Sequence, residues 1–275
     1  MIPPDANAAF VAAMEDVLEV YTRPHDPDFP VVCLDETSKQ LIAETRVPIP
    51  VKPGHPARHD YEYERNGTAN LFMMFAPLEG FRHVKVTDRH TALDYAQVLK
   101  ELSDTHFPDA KKICLVQDNL NTHKPASLYE AFPAAEARRL SQRFEWHYTP
   151  KHGSWLDMAE SELAVLATQC LDRRIPDKPT LIEMVAAWQD NRNKHRIKAD
   201  RRFTTDDARI KLKQLLRLLA WRSFLAVEDF NRKMGMGMSS PCTPRAQLAF
   251  KACGQAMGRT DPKSAFPFRP RRLGA

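Results

Sequence analysis

Two short apolar runs end on aspartate, Val31-Val32-Cys33-Leu34-Asp35 and Ile113-Cys114-Leu115-Val116-Gln117-Asp118, and a glutamate, Glu160, follows in a segment of helical periodicity. A hard cation such as Mg²⁺ takes oxygen ligands and keeps several waters, with one or two carboxylates and substrate phosphates completing its shell. Three carboxylates converging without a cation would repel one another and raise their own pKa values, so such a cluster implies divalent ions. Two ions roughly 3.5 to 4 Å apart can activate an attacking oxygen and stabilise a leaving one, which suits a phosphodiester substrate. One aspartate at a strand end is more often a turn residue than a ligand, and only the combination carries weight.

The neighbours of these three acids extend the pattern. Asn119, Asn121 and His123 follow Asp118 directly. A histidine there can position a phosphate or water, its charge switch lying near working pH, or it can be a loop residue with local hydrogen bonds alone. Glu36 should point to the opposite side of an extended strand from Asp35. Asp157 and Glu162 are rival third ligands. Asp157 lies nearly one turn before Glu160 and can share its face, whereas Glu162 projects elsewhere.

The elements that must deliver these groups are legible as hydrophobic periodicity. Residues 7–20 place Phe10, Met14, Val17 and Leu18 on one helical face, and Pro30 to Asp35 reads as a buried strand closed by Asp35. Pro48, Pro50, Pro53, Gly54 and Pro56 mark an exposed loop, Asn66-Gly67 signals a hairpin turn, and residues 69–76 and 83–87 read as strands. Thr91 and Asp94 form a capping box opening a helix with Leu93, Tyr95, Val98, Leu99 and Leu102 at helical spacing. Strand, helix and the strand ending at Asp118 make a βαβ unit, whose second strand should run parallel to an earlier one. Residues 126–142 are helical with a break at Pro133, residues 144–148 form a strand, and residues 155–171 a helix carrying Glu160. A helix follows over residues 180–191, and Thr204 to Asp207 caps another running towards Trp221. The expected class is α/β, a mixed sheet flanked by helices with a helical C-terminal extension.

Charge is unevenly distributed. Residues 173–230 carry 14 Lys/Arg against 8 Asp/Glu and residues 231–275 carry 9 against 1, leaving residues 1–172 at −9 within a total of +5. The acidic part holds the candidate ligands, and the basic part can neutralise phosphates and release counterions. The tail, with five of the nine glycines after residue 230, is equally readable as an unstructured like-charge block. The five cysteines form no C-x-x-C pair and read as reduced thiols, so zinc is not indicated by them. No apolar stretch approaches the roughly 18 residues of a membrane helix, and the N-terminus lacks signal-peptide regions, so a cytosolic protein without membrane contact is expected.

Taken together, Cys33-Leu34-Asp35-Glu36, Asp118-Asn119-Leu120-Asn121-Thr122-His123 and the run from Tyr148 through Lys151-His152-Gly153-Ser154-Trp155-Leu156-Asp157 to Glu160 resemble the Asp-Asp-Glu transposases of mariner-related bacterial insertion sequences. The resemblance covers about residues 3–213. It implies a ribonuclease-H-like fold, Asp35, Asp118 and Glu160 as catalytic and metal-binding triad, two Mg²⁺ or Mn²⁺ ions, and DNA cleavage with strand transfer at TA targets. Asn119, His123 and Asp157 become supporting residues, and Lys151, His152, Arg173 and Arg174 candidate contacts to double-stranded DNA bound by a homodimer. Residues 1–175 would form the catalytic core, 176–222 a helical extension completing it, and 223–275 a basic, poorly ordered tail. Relatives usually carry an N-terminal helix-turn-helix region and an asparagine where Asp157 stands. End recognition by this chain alone is therefore not expected, and Asp157 adds a negative charge beside the metals. The resemblance lapses after about Gln214. The competing expectations are a catalytically silent remnant that binds DNA or a partner subunit, and a cellular ribonuclease-H-like nuclease.

Overall fold

The computed structural model describes residues 7–56, 58 and 60–213. Five strands, β1 (Val31–Glu44), β2 (Tyr63–Ala76), β3 (Phe81–Thr87), β4 (Ile113–Gln117) and β5 (Phe144–Tyr148), form one sheet in the order β3-β2-β1-β4-β5. The first three strands pair antiparallel, while β4 pairs parallel to both β1 and β5. This is the expected mixed sheet of ribonuclease-H-like topology, with β4 landing beside β1 after a helical crossover.

Alternation along the strands divides the core by face. Cys33, Met73, Phe75 and Val116 join a cluster with α1 (Ala8–Thr22), α5 (Met158–Gln169) and α6 (Lys178–Lys194). Leu34, Phe72, Met74 and Leu115 face α2 (Ala92–Glu101), α3 (Ala126–Ala131) and α4 (Ala134–Arg143) on the other side. The period of two in side-chain direction requires this division wherever both faces are covered.

Several helix starts follow from their caps. The side chains of Asn7, Thr91, Asp157, Asp177 and Thr204 each accept a hydrogen bond from a backbone N–H of the following turn, and Thr91–Asp94 and Thr204–Asp207 complete capping boxes. Leu93, expected on the apolar face of α2, is exposed. The chain beyond α2 continues as a π-helical turn, Leu102–His106. The helix α7 (Thr205–Lys211) begins at the expected cap; its continuation towards Trp221 and the expected tail lie outside the described residues.

Two expectations are corrected. Asp35 does not close its strand, because β1 continues to Glu44 against β2; only the parallel pairing with β4 ends beside it, at Leu34 and Gln117. Asn66-Gly67 is not a hairpin turn but a β-bulge inside β2. The register passes from Gln40 opposite Thr68 to Ile42 opposite Arg65, so two residues of β2 oppose Leu41. Gly67 supplies the positive φ of 92° that such a bulge needs, and the Asn66 amide donates to the Pro176 carbonyl at 2.9 Å. The true connection is the proline-rich loop, with Val47, Val51 and Tyr61 exposed.

Candidate active site

Asp35 lies at the point where β4 stops, Asp118 follows the last residue of β4, and Glu160 sits in the first turn of α5. The parallel register therefore sets both aspartates at the same edge of adjacent strands. Met73, the cross-strand partner of Asp35, belongs to the core cluster that contains α5, so Asp35 and Glu160 occupy one face of the sheet.

Asp35, Asp118 and Glu160 are near enough for their charges to act on one another, although their oxygens do not form a trio all within 4.8 Å. Burial, followed by the charges of Glu36, Asp118 and Glu160, pushes the Asp35 carboxyl up to about 7, even though the Glu36 N–H donates to it at 2.9 Å. Asp157 is raised well above the carboxylate range, first by burial and then by the charges of Asp35, Asp118 and Glu160. It is 2% exposed; one oxygen accepts from the Ala159 N–H at 2.8 Å and the other is buried without a hydrogen-bond partner. The helix α5 accordingly starts after Asp157, three residues later than periodicity suggested, preceded by a 3₁₀ turn over Ser154–Leu156. Arg201 braces that turn, donating to the carbonyls of Trp155 at 2.8 Å and Leu156 at 3.2 Å.

On the far side of Asp118 a buried relay fixes its loop. His123 makes a short hydrogen bond to Asp118 through Nδ1 and lies 3.0 Å from Glu36 through Nε2. Burial opposes its charge, but the two carboxylates outweigh burial and raise its pKa to about 9. Its ring stacks on Tyr95 at 4.6 Å; the Tyr95 hydroxyl donates to Gln117 at 2.6 Å, and the Gln117 amide donates to the His123 carbonyl at 2.9 Å. Glu36 does face away from Asp35 as expected, yet His123 couples it back to Asp118. Tyr95 and Gln117 were not identified from sequence, because an aromatic and an amide inside apolar runs read as core.

The remaining predicted site residues are dispersed. Asn119 is exposed beside Asp118, and Lys151 and His152 are exposed in the turn before α5, where His152 has φ 63°. Arg173 is exposed, while Arg174 pairs with Glu44 at 2.6 Å and stacks over Tyr63. Glu162, the rejected rival ligand, points away from the acids and pairs with Arg82 and Arg192, each at 2.8 Å. Cys33, Cys114 and Cys170 are buried free thiols, and Cys242 and Cys253 lie outside the described residues. Among the described residues, no helix is long and apolar enough to cross a membrane.

The donor set of the acidic edge is all carboxylate oxygen, one of them buried and unpartnered, which fits hard divalent ions rather than zinc.

A search of curated proteins found no match. Among solved structures the chain is similar to the mariner Mos1 paired end complex with Mg, at 17% identity over 72% of this chain and 61% of that chain with TM-score 0.48. It is also similar to the Mos1 strand transfer complex, at 16% identity over 72% and 60% with TM-score 0.49. The chain thus spans about three fifths of the length of these solved chains. Residues 30–182, more than half of the 275, match the family of DDE superfamily endonucleases, and their span runs from the start of β1 through the whole acidic edge into α6. The chain belongs to the DDE superfamily endonuclease family.

Proposed function

We propose that this chain is the catalytic part of an insertion-sequence transposase of the mariner-related group, cutting double-stranded DNA and joining the freed ends to a target. The observation that supports this reading is the elevation of two neighbouring acids within a DDE endonuclease domain: Asp35 stands at about 7 through burial and the charges of Glu36, Asp118 and Glu160, and Asp157 is raised by burial and the same group of acids. A protein maintains such repulsion at a cost in stability, and function is the common reason.

Asp35, Asp118 and Glu160 would hold two Mg²⁺ or Mn²⁺ ions. The chemistry such ions supply when bound is Lewis-acid activation of a water or 3′-hydroxyl and stabilisation of the leaving oxygen. The protein's own contribution is positional. His123, locked between Glu36 and Asp118 and stacked on Tyr95, fixes the Asp118 carboxylate. Asp157 caps α5 and thereby sets the direction of Glu160, and its buried carboxyl, held above the ordinary carboxylate range, sits against the same acids. Asn119 lies within reach of a bound backbone, and exposed Lys151, His152 and Arg173 offer phosphate contacts; Arg174 orients the β1–β2 arm through Glu44 and Tyr63. We assign residues 1–175 to the core and α6 and α7 to its extension, acting as a homodimer on DNA.

The test is nicking of supercoiled plasmid DNA by the full chain in Mg²⁺ or Mn²⁺. Wild type should nick, and Asp35→Asn, Asp118→Asn and Glu160→Gln should each lose roughly 10³-fold or more in rate. Binding of DNA without nicking in either metal would instead identify a silent remnant, and cleavage confined to the RNA strand of a hybrid would identify a ribonuclease.

A further inference from the structure

A second ligand set lies on the opposite face of the sheet. His83 on β3 pairs with Met74, which belongs to the α2-side core, so its ring faces away from Asp35 and Glu160. Glu101 ends α2 and His106 ends the π-helical turn. One atom from each of these three residues lies within 4.8 Å of the others, and this is the one such trio among the described residues.

Two of the three ligand edges lie near those of a tetrahedral zinc site. Zinc bonds of about 2.0–2.1 Å to imidazole and carboxylate place neighbouring ligand atoms about 3.3 Å apart. His83 Nε2 stands 3.2 Å and His106 Nε2 3.7 Å from the same oxygen, Glu101 Oε1, bracketing that edge. The rings face one another at 4.4 Å, tilted by 42°. His106 Nε2 is buried without a hydrogen bond among the described residues, its nearest acidic oxygen being Glu101 Oε1 at 3.7 Å. Lys85 holds the other oxygen, Glu101 Oε2, at 2.5 Å, orienting the carboxylate to present Oε1 alone. Phe81 packs on the His106 ring at 5.4 Å and supplies an apolar wall.

We propose that His83, Glu101 and His106 form a binding site for a borderline transition-metal ion, Zn²⁺ above all, with a water in the fourth position. The ion would pin edge strand β3 to the end of α2, serving structure rather than phosphodiester chemistry. The two sites divide by ligand chemistry, since imidazole suits zinc and a carboxylate cluster suits Mg²⁺ or Mn²⁺.

The experiment uses the full chain stripped with chelator and titrated with Co²⁺, whose four-coordinate complexes absorb strongly in the visible. One equivalent per chain should produce that absorption, and Zn²⁺ should displace it. Zn²⁺ at a hundredfold excess over its Kd should raise the melting temperature by roughly 5 to 10 °C. His83→Gln, His106→Gln and Glu101→Gln should each weaken binding roughly 100-fold or more, while Asp118→Asn leaves it intact. Absence of both the visible band and the thermal shift in wild type overturns the proposal. So does a band that survives in all three variants or vanishes in Asp118→Asn, and the wild-type spectrum alone decides if a variant fails to fold.

Discussion

Glu160 and Glu162 lie two residues apart on α5 in opposite surroundings. The Glu162 side chain is 6% exposed, and Arg82, fully buried, and Arg192 each contact it at 2.8 Å. Glu160 is exposed, and its charge adds to burial and to the charges of Asp35 and Asp118 in raising Asp157 above the ordinary carboxylate range. Each acid on its own would be an unremarkable sequence feature. Paired burial at Glu162 ties α5 and α6 to β3, whereas at the acidic edge Glu160 and the buried Asp157 have no Lys or Arg ion pair among the described residues, which favours a bound cation.

The sharpest way to break the contrast is to remove the compensated acid. Glu162→Gln leaves two guanidinium groups buried without their carboxylate and should cost about 3–5 kcal/mol, read as a lowered denaturation midpoint. A loss below 1 kcal/mol would mean that water already screens the pair and that the comparison is overstated.

The uncompensated region should respond to pH in the metal-free protein. Asp35 has a folded pKa of about 7 against an ordinary value of 3.8, so the folded state holds its proton more tightly and stability falls as pH rises between those values. His123, raised from 6.5 to about 9, contributes stability that is complete below pH 6.5 and lost as pH passes 9. Both effects have the same sign. Denaturation in chelator should therefore show stability declining from pH 4.5 to 9 by at most about 1.4 kcal/mol per pH unit for each group, with Asp35→Asn flattening the lower window and His123→Gln the upper. A flat profile in wild type would contradict the coupling.

A smaller effect is expected at Asp157. Asparagine preserves the cap on the Ala159 N–H and removes a carboxyl that burial and its acidic neighbours hold above its ordinary range, so Asp157→Asn should melt higher than wild type without metal and bind Mn²⁺ roughly 10-fold more weakly. Unchanged melting and unchanged affinity would reduce Asp157 to a capping role.

Much of this arrangement was readable from local pattern. Alternation and capping boxes located the strands and helix starts, and the two apolar runs ending on Asp35 and Asp118 marked acids that would meet if their strands were neighbours, as the parallel pairing of β1 with β4 makes them. What escaped was non-local. Asn66-Gly67 carries the same local signal whether it turns a hairpin or bulges a long strand, and only the pairing of β1 out to Glu44 decides between them. Likewise Tyr95, Gln117 and Glu36 acquire meaning only once α2 is laid over β1 and β4, and Glu162 looks like a surface acid until Arg82 and Arg192 arrive from β3 and α6.

The most direct measurement is Mn²⁺ binding to the full chain at pH 8, followed by electron paramagnetic resonance, for wild type beside Asp35→Asn, Asp118→Asn and Glu160→Gln. The account expects saturable binding in wild type that weakens at least roughly 10-fold in every variant, and weakens in wild type as pH falls below about 7 where Asp35 takes up its proton. Binding of equal strength in all four proteins would contradict the claim that these three carboxylates form one metal-demanding site.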